Sequence, residues 1–143
     1  MQAHRSATVR FSIPFCDVDA MQVVWHGNYY KYFDIARDRL FGDAGIDLYR
    51  VAVESNVVFP ITRTQTKHIL PLRFRDEVDC KATLVEAECR LVVDFELRLV
   101  GGGKLCAKGR TEQAAVRIDG WTLDLRLPEF VRRALGPTPR DDD

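Results

Sequence analysis

The sequence lacks most features that tie a protein to a metal, a membrane or a nucleic acid. Its 143 residues include only four cysteines, three histidines and six prolines, with no CxxC pair and no HExxH run. Lys plus Arg equals Asp plus Glu at 21 each, which excludes a broad field attracting nucleic acid or anionic lipid. No uncharged apolar run approaches the length that spans a bilayer. We therefore expect no metal, no cofactor, no nucleic-acid partner and no membrane association.

The four cysteines and the first residues bear on the compartment. Cys16, Cys80, Cys89 and Cys106 are scattered, so they are expected to be small buried hydrophobes in a reducing environment. The segment from Met1 to Arg10 has no apolar core of the kind found in secretory signals. Both observations favour a cytoplasmic protein.

What the chain does contain is an ordinary globular composition. Apolar residues make up 46% and charged residues 29% of the sequence, and the length suits one domain better than two. We predict a single domain over residues 1–136, followed by a short disordered tail over residues 137–143.

Two periodic segments open the domain. Residues 8–15 alternate apolar and polar side chains, which predicts a half-buried strand. Residues 28–41 repeat apolar side chains at helical spacing, at Tyr29, Phe33, Ala36 and Leu40. Tyr30 and Ile35 widen this stripe, so the helix should be covered on more than one side.

The rest of the chain reads mainly as strands. The predicted strands are 57–70, 77–88, 91–100 and 104–118, with a bulge near Glu112, and a type I′ turn at Asp119-Gly120 leads into 121–125. Asp47 should cap a short helix to about Ser55, and Pro128 should open a last helix that ends at Gly136. The fold class is α+β, with an antiparallel, curved sheet of about five long strands around one central α-helix.

The segment from Phe15 to Tyr29 concentrates the residues that could carry chemistry. It places Asp17, Asp19, Cys16 and His26 in the loop that enters the predicted central helix. Free backbone N–H groups and the helix dipole favour negative charge at such a helix start. The loop is therefore the best candidate for stabilising an oxyanion.

The same segment carries a family motif. Asp17-Val18-Asp19, then Val24 to Tyr29, then Phe33-Asp34 with Ala36-Arg37, resembles the hotdog-fold acyl-CoA thioesterases of the 4-hydroxybenzoyl-CoA thioesterase type. The order of predicted elements is also that of the hotdog fold. The resemblance implies hydrolysis of an acyl or aroyl thioester, carried on coenzyme A or on an acyl-carrier protein, by a homodimer or homotetramer with sites at subunit interfaces.

The resemblance also implies roles for individual residues. Asp19 matches the catalytic carboxylate, acting as nucleophile or general base, and the backbone N–H groups of His26 and Gly27 match those that bind the thioester oxygen. Trp25 and Tyr29 are candidate substrate contacts, although aromatics at this spacing are more often core. Arg90 follows the hairpin position where the family carries basic residues that contact coenzyme A, but Glu88 and Cys89 depart from that cluster.

One position departs from the motif inside the loop itself. The family usually has glycine three residues after the catalytic aspartate, and this chain has Gln22. Either the loop follows a different path or the Gln22 amide contacts the substrate. Asp17 is expected to be structural, bonding the backbone of the loop.

Three alternatives remain open on the sequence. A hotdog dehydratase acting on 3-hydroxyacyl thioesters would use His26 and Asp19 as its pair. A non-catalytic module would bind an acyl thioester without turning it over. A Cys16–His26 nucleophilic dyad is a third alternative, although no orienting group accompanies it.

Overall fold

The computed structural model describes residues 5–136, and the predicted tail lies outside them. In chain order the elements are β1 (Ser6–Ser12), α1 (Asn28–Asp43), α2 (Leu48–Ser55), β2 (Val57–Val58), β3 (Ile61–His68), β4 (Glu77–Ala87), β5 (Leu91–Leu99), β6 (Leu105–Gln113), β7 (Ala115–Arg117), β8 (Thr122–Asp124) and α3 (Glu129–Leu135). A five-stranded antiparallel sheet has the order β1-β4-β5-β6-β3, and β2, β7 and β8 form a smaller one. The predicted α+β class and five-stranded sheet are confirmed.

Helix α1 packs on one face of the large sheet, which we call the inner face. All four residues of its predicted apolar stripe are buried. Phe33 stacks on Phe95 of β5 with ring centroids 4.5 Å apart. A Cβ atom on Gly109 of β6 would lie 2.4 Å from the Phe33 ring, so only glycine lets the helix approach this closely. The apolar periodicity of the helix thus fixes its position against the sheet.

Two of the predicted long strands are interrupted. Phe59-Pro60 separates β2 from β3, because proline has no N–H for the ladder. Ala114 separates β6 from β7, and β7 then leaves the large sheet to pair with β2 and β8. The bulge predicted near Glu112 corresponds to this break, and the shift in register lies on the partner strand, between Ile61 and Arg63.

The predicted type I′ turn at Asp119-Gly120 is wrong. Arg117 pairs with Thr122, so four residues rather than two connect β7 to β8. Positive φ angles fall on Gly120 and Trp121, not on Asp119. The prediction of a hairpin here was correct, but the longer loop changes where the left-handed residues lie.

The two shorter helices agree with the sequence signals. Asp47 caps α2, its Oδ1 accepting from the Tyr49 N–H at 2.9 Å, and Pro128 immediately precedes α3. The expectation for the cysteines is only half right, because Cys80 and Cys106 are buried whereas Cys16 and Cys89 are exposed. Within residues 5–136, no helix combines the length and apolar character needed to cross a membrane.

One edge of the large sheet is left open. Among residues 5–136, strand β3 has a neighbour on one side only, and nearly all of its residues are exposed on both faces. Tyr30 and Ile35 of α1, which widen the apolar stripe, are also exposed. The chain therefore presents an unpaired strand and uncovered apolar side chains on its helix.

Candidate active site

The loop between β1 and α1 is held by the side chain of Asp17. Its carboxylate accepts a hydrogen bond from Lys31 Nζ at 2.5 Å and one from the Tyr32 hydroxyl at 2.6 Å, both on α1. Its backbone carbonyl accepts from the Trp25 N–H and from Asn28 Nδ2, each at 2.9 Å. Asp17 is therefore structural, as predicted, but its side chain ties the loop to the helix rather than to the loop backbone.

The ionisation of Asp17 follows from these contacts. Burial by itself would raise the pKa of this carboxyl, but the hydrogen bonds from Lys31 and Tyr32, with the Lys31 charge, lower it overall. Burial and the bond to Asp17 raise the pKa of the Tyr32 phenol. At neutral pH the charged carboxylate thus accepts from a neutral phenol and from the Lys31 ammonium.

Asp19 sits at the head of a tight turn two residues further on. Its backbone N–H donates to the Val23 carbonyl and its carbonyl accepts from the Gln22 N–H, both at 2.9 Å. Its Oδ1 accepts from the Met21 N–H at 2.8 Å. These bonds close a small hairpin loop and leave Oδ2 for another partner.

Gln22 occupies the left-handed position of that loop. Its φ is 67°, a conformation that favours glycine because a side chain there is crowded. The glycine of the family motif is therefore replaced by a residue that adopts a glycine-type conformation. The substitution is accommodated at some cost in stability, and the turn closes without glycine.

The start of α1 presents backbone donors beside this loop. Asn28 N–H donates to the Trp25 carbonyl and Tyr29 N–H to the His26 carbonyl, whereas the His26 and Gly27 N–H groups have no partner among the described residues. The ring of Trp25 lies over Gly27, where a Cβ atom would come within 2.4 Å of it. Two unpaired N–H groups at the positive end of a 16-residue helix can stabilise an oxyanion.

A cleft of about 290 Å³ opens in front of Asp19. One wall is the loop and helix start, including Met21, Val23, Val24 and His26, and the second wall is the end of β3 and the residues after it. Tyr29 forms the floor, and the ring of His68 meets the Tyr29 ring edge-on with centroids 4.6 Å apart. The Val24 N–H donates to the Leu72 carbonyl at 2.8 Å, which ties the two walls together.

The structure brings together some of the predicted site residues and separates others. Asp19, His26 and Tyr29 line the cleft, and Gly27 adjoins it at the helix start. Gln22 and Trp25 are exposed on the loop and do not line it. Arg90 lies at the opposite end of the sheet, where it pairs with Glu112 and, at 3.6 Å, with Glu86.

His68 also lines the cleft, although the sequence motif did not indicate it. Nothing local in the sequence places it near Asp19. Cys16, by contrast, does not line the cleft. Its Sγ lies 3.7 Å from Asp17 Oδ1. Within residues 5–136, no three His, Cys, Asp or Glu side chains converge to hold a metal ion.

Comparison with known families places this site in context. A family profile described as the thioesterase-like superfamily matches residues 13–135, nearly the whole chain. The chain belongs to the thioesterase-like superfamily, and its class of enzyme is the thioester hydrolases. No curated protein is similar enough to the sequence to count as a match.

Solved structures share the fold at low sequence identity. A 1,4-dihydroxy-2-naphthoyl-CoA thioesterase from Synechocystis is 16% identical with a TM-score of 0.84, covering 91% of this chain and 95% of that one. A 4-hydroxybenzoyl-CoA thioesterase with an Asp→Asn substitution, complexed with 4-hydroxybenzoyl-CoA, is 21% identical with a TM-score of 0.82 and coverages of 92% and 99%. A gentisyl-coenzyme A thioesterase is 22% identical with a TM-score of 0.77 and coverages of 90% and 99%. These likenesses confirm the hotdog fold.

Replacing Asp17 by Asn should destabilise the fold in a pH-dependent way. We expect the free energy of unfolding at pH 7 to fall by about 2 kcal/mol, because the Lys31 ammonium and the loop lose a charged acceptor. The folded-state pKa of Asp17 is lowered, so its contribution is complete above the ordinary carboxyl value of 3.8 and is lost as the pH falls through the folded-state pKa. Urea unfolding across the pH range should show the two proteins converging in acid. The exposed Asp38→Asn variant is the control, and an equal loss in that variant would contradict the assignment.

Replacing Gln22 by Gly should stabilise the protein. The left-handed conformation costs a non-glycine residue about 1 kcal/mol, so we expect a gain of that order in the free energy of unfolding. Ala20→Gly is the matched control in the same turn, where φ is not positive and glycine should cost about 0.5 kcal/mol. A loss of stability in both variants, measured by urea unfolding, would rule out strain at Gln22.

Proposed function

We propose that the protein hydrolyses an aromatic acyl-CoA thioester, with Asp19 as the reacting carboxylate. The observation that carries the proposal is the position of Asp19 in a cleft beside a helix start, where the His26 and Gly27 N–H groups have no partner among the described residues. A thioester carbonyl needs both: donors for the oxygen that gains charge and a base or nucleophile at the carbon.

The proposal of an aromatic acyl group is supported by the side chains of the cleft and by the similar structures. Tyr29 and His68 give the cleft an aromatic floor and wall, which suit a flat acyl group. The similar structures are named for dihydroxynaphthoyl, hydroxybenzoyl and gentisyl thioesters, and they share this fold. A hydroxylated aroyl group on coenzyme A is therefore the substrate class that we propose.

Hydrolysis of the thioester can follow either of two routes. In one, Asp19 takes a proton from water while the water oxygen bonds to the carbonyl carbon. In the other, an Asp19 oxygen bonds to that carbon to form an anhydride, which water then opens. In both, the carbon–sulfur bond breaks, the sulfur leaves as thiolate and is protonated, and a carboxylic acid is released. The His26 and Gly27 N–H groups stabilise the oxygen in either route.

Changing Asp19 to Asn should remove most of the turnover while leaving the fold intact. The amide oxygen can still accept from the Met21 N–H, but it supplies neither a base nor a nucleophile. We expect thiol release from aroyl-CoA to fall by about 10²-fold to 10⁴-fold, measured with a thiol-trapping dye. Asp47→Asn is the matched control, because Asp47 makes the same bond to the N–H two residues on, away from the cleft. Equal activity of the wild type and Asp19→Asn would contradict the role of Asp19.

The same assay distinguishes hydrolysis from dehydration and from binding without turnover. A 3-hydroxyacyl thioester that loses water without releasing thiol would favour the dehydratase, for which His26 and Asp19 share the cleft. Saturable binding of an aroyl-CoA without thiol release would favour a binding module.

We also propose that the active form is a homo-oligomer built across β3. The strand is an unpaired edge with both faces exposed, and Tyr30 of α1 is exposed as well. Antiparallel pairing of two β3 strands would place the Ile61 end of one chain beside the His68 end of the other. Arg90, near the Ile61 end through its bond to Glu112, would then approach the cleft of the second copy and could meet coenzyme A phosphates.

A mixing experiment should reveal such shared sites. Asp19→Asn should be inactive and Arg90→Ala should have a raised KM, because each site would take Asp19 from one chain and Arg90 from the other. After subunit exchange, hybrids should recover activity above that of either variant at low substrate. A monomer by sedimentation velocity, or no recovery in confirmed hybrids, would contradict the arrangement.

A further inference from the structure

His68 is the polar side chain of the second wall of the cleft. Of the wall residues described, His68, Ile69, Leu70 and Pro71, only the first has a side chain that forms hydrogen bonds. Pockets for small molecules are mostly apolar, with a few polar groups that fix the orientation of the ligand. The hydrolytic role of Asp19 makes no use of this imidazole.

The position of His68 is fixed by its neighbours. Strand β3 ends where the Ile69 and Leu70 N–H groups both donate to the Cys106 carbonyl, at 2.8 and 3.0 Å. The ring then meets Tyr29 edge-on, at an interplanar angle of 82°, and Tyr29 is itself buried. An exposed imidazole with a fixed backbone and a fixed aromatic support is placed to act on a ligand rather than on the core.

The geometry of a bound thioester determines which part of the substrate lies against the second wall of the cleft. The carbonyl is planar, so when its oxygen points to the His26 and Gly27 N–H groups, the acyl group and the sulfur both point away from the helix start. The second wall borders the same cleft and is tied to the first through Val24 and Leu72, so the acyl group or the sulfur would extend along it. His68 thus faces a substituent of the carbonyl, not the carbonyl oxygen.

We propose that His68 is a specificity-determining residue that hydrogen-bonds a hydroxyl on the aromatic acyl group. The inference rests on the proposed function and adds to it the residue that reads the acyl group. An aroyl group between the two walls would lie against Tyr29 and bring a ring hydroxyl to the imidazole, while Met21 and Leu70 contact its apolar parts. Unsubstituted aroyl groups would fit the same space without that bond.

The test compares 4-hydroxybenzoyl-CoA with benzoyl-CoA on three proteins. His68→Phe keeps a ring against Tyr29 and removes both nitrogens, and His68→Gln restores a hydrogen-bonding group without the ring. We expect His68→Phe to lower kcat/KM about tenfold for the hydroxylated substrate and to leave benzoyl-CoA nearly unchanged. His68→Gln should recover part of the preference. Lys67→Met, on the opposite face of the same strand, is the control and should keep the wild-type ratio.

Each other result overturns the inference. An equal fall for both substrates in His68→Phe would mean that His68 only supports the cleft, and no fall would mean that it does not contact the acyl group. In both cases the wild type still hydrolyses aroyl thioesters, so the proposed function survives. If the wild type releases no thiol from any acyl-CoA, the proposed function fails and this inference fails with it.

Discussion

The arrangement of the site depends on one buried carboxylate, that of Asp17. It accepts from Lys31 and Tyr32 on α1, while its own carbonyl holds Trp25 and Asn28 at the helix start. The loop is therefore bonded to the helix through both the side chain and the backbone carbonyl of Asp17. Asp19 and the free N–H groups keep their relative positions because the segment between them cannot swing away from the helix.

The same constraint separates the roles of two aspartates in one motif. Asp17 is buried and fully bonded, so its charge is used to hold structure. Asp19 is only partly buried, and one of its oxygens is directed into a turn while the other is left for a ligand. A reactive side chain needs a polar atom that is free to meet its ligand, whereas a side chain that positions a loop needs all of its polar atoms bonded. The left-handed conformation of Gln22 lies in the turn that holds the Asp19 carboxylate, and backbone strain of this kind is often found at functional sites.

Features with a local cause could be read from the sequence. The stripe of Tyr29, Phe33, Ala36 and Leu40 predicted α1 and its buried side, and the motif around Asp19 predicted the loop that lines the cleft. The break at Pro60 was missed because apolar residues continue on both sides of it. The break at Ala114 was predicted only as a bulge near Glu112, because nothing local shows that the chain there changes sheets. The loop at Gly120 was misread because its length is set by the pairing of Arg117 with Thr122.

Features set by distant pairing could not be read. His68 reaches the cleft only because β3 pairs with β6 and because Val24 bonds to Leu72, contacts between segments far apart in the chain. Arg90 was predicted as a substrate contact from its hairpin position, yet in a single chain it lies at the other end of the sheet. The positions of both residues depend on contacts between segments far apart in the chain, which spacing along the chain does not encode.

In the proposed mechanism, the thioester oxygen binds at the start of α1 with its carbon facing Asp19. A crystal structure with an aroyl-CoA analogue that has a methylene between the carbonyl and the sulfur would test it most directly, because the ketone cannot be hydrolysed. We expect the ketone oxygen about 3 Å from the His26 or Gly27 nitrogen, with the Asp19 carboxylate over the carbonyl carbon. An analogue bound with its carbonyl away from the helix start would rule out the proposed mechanism.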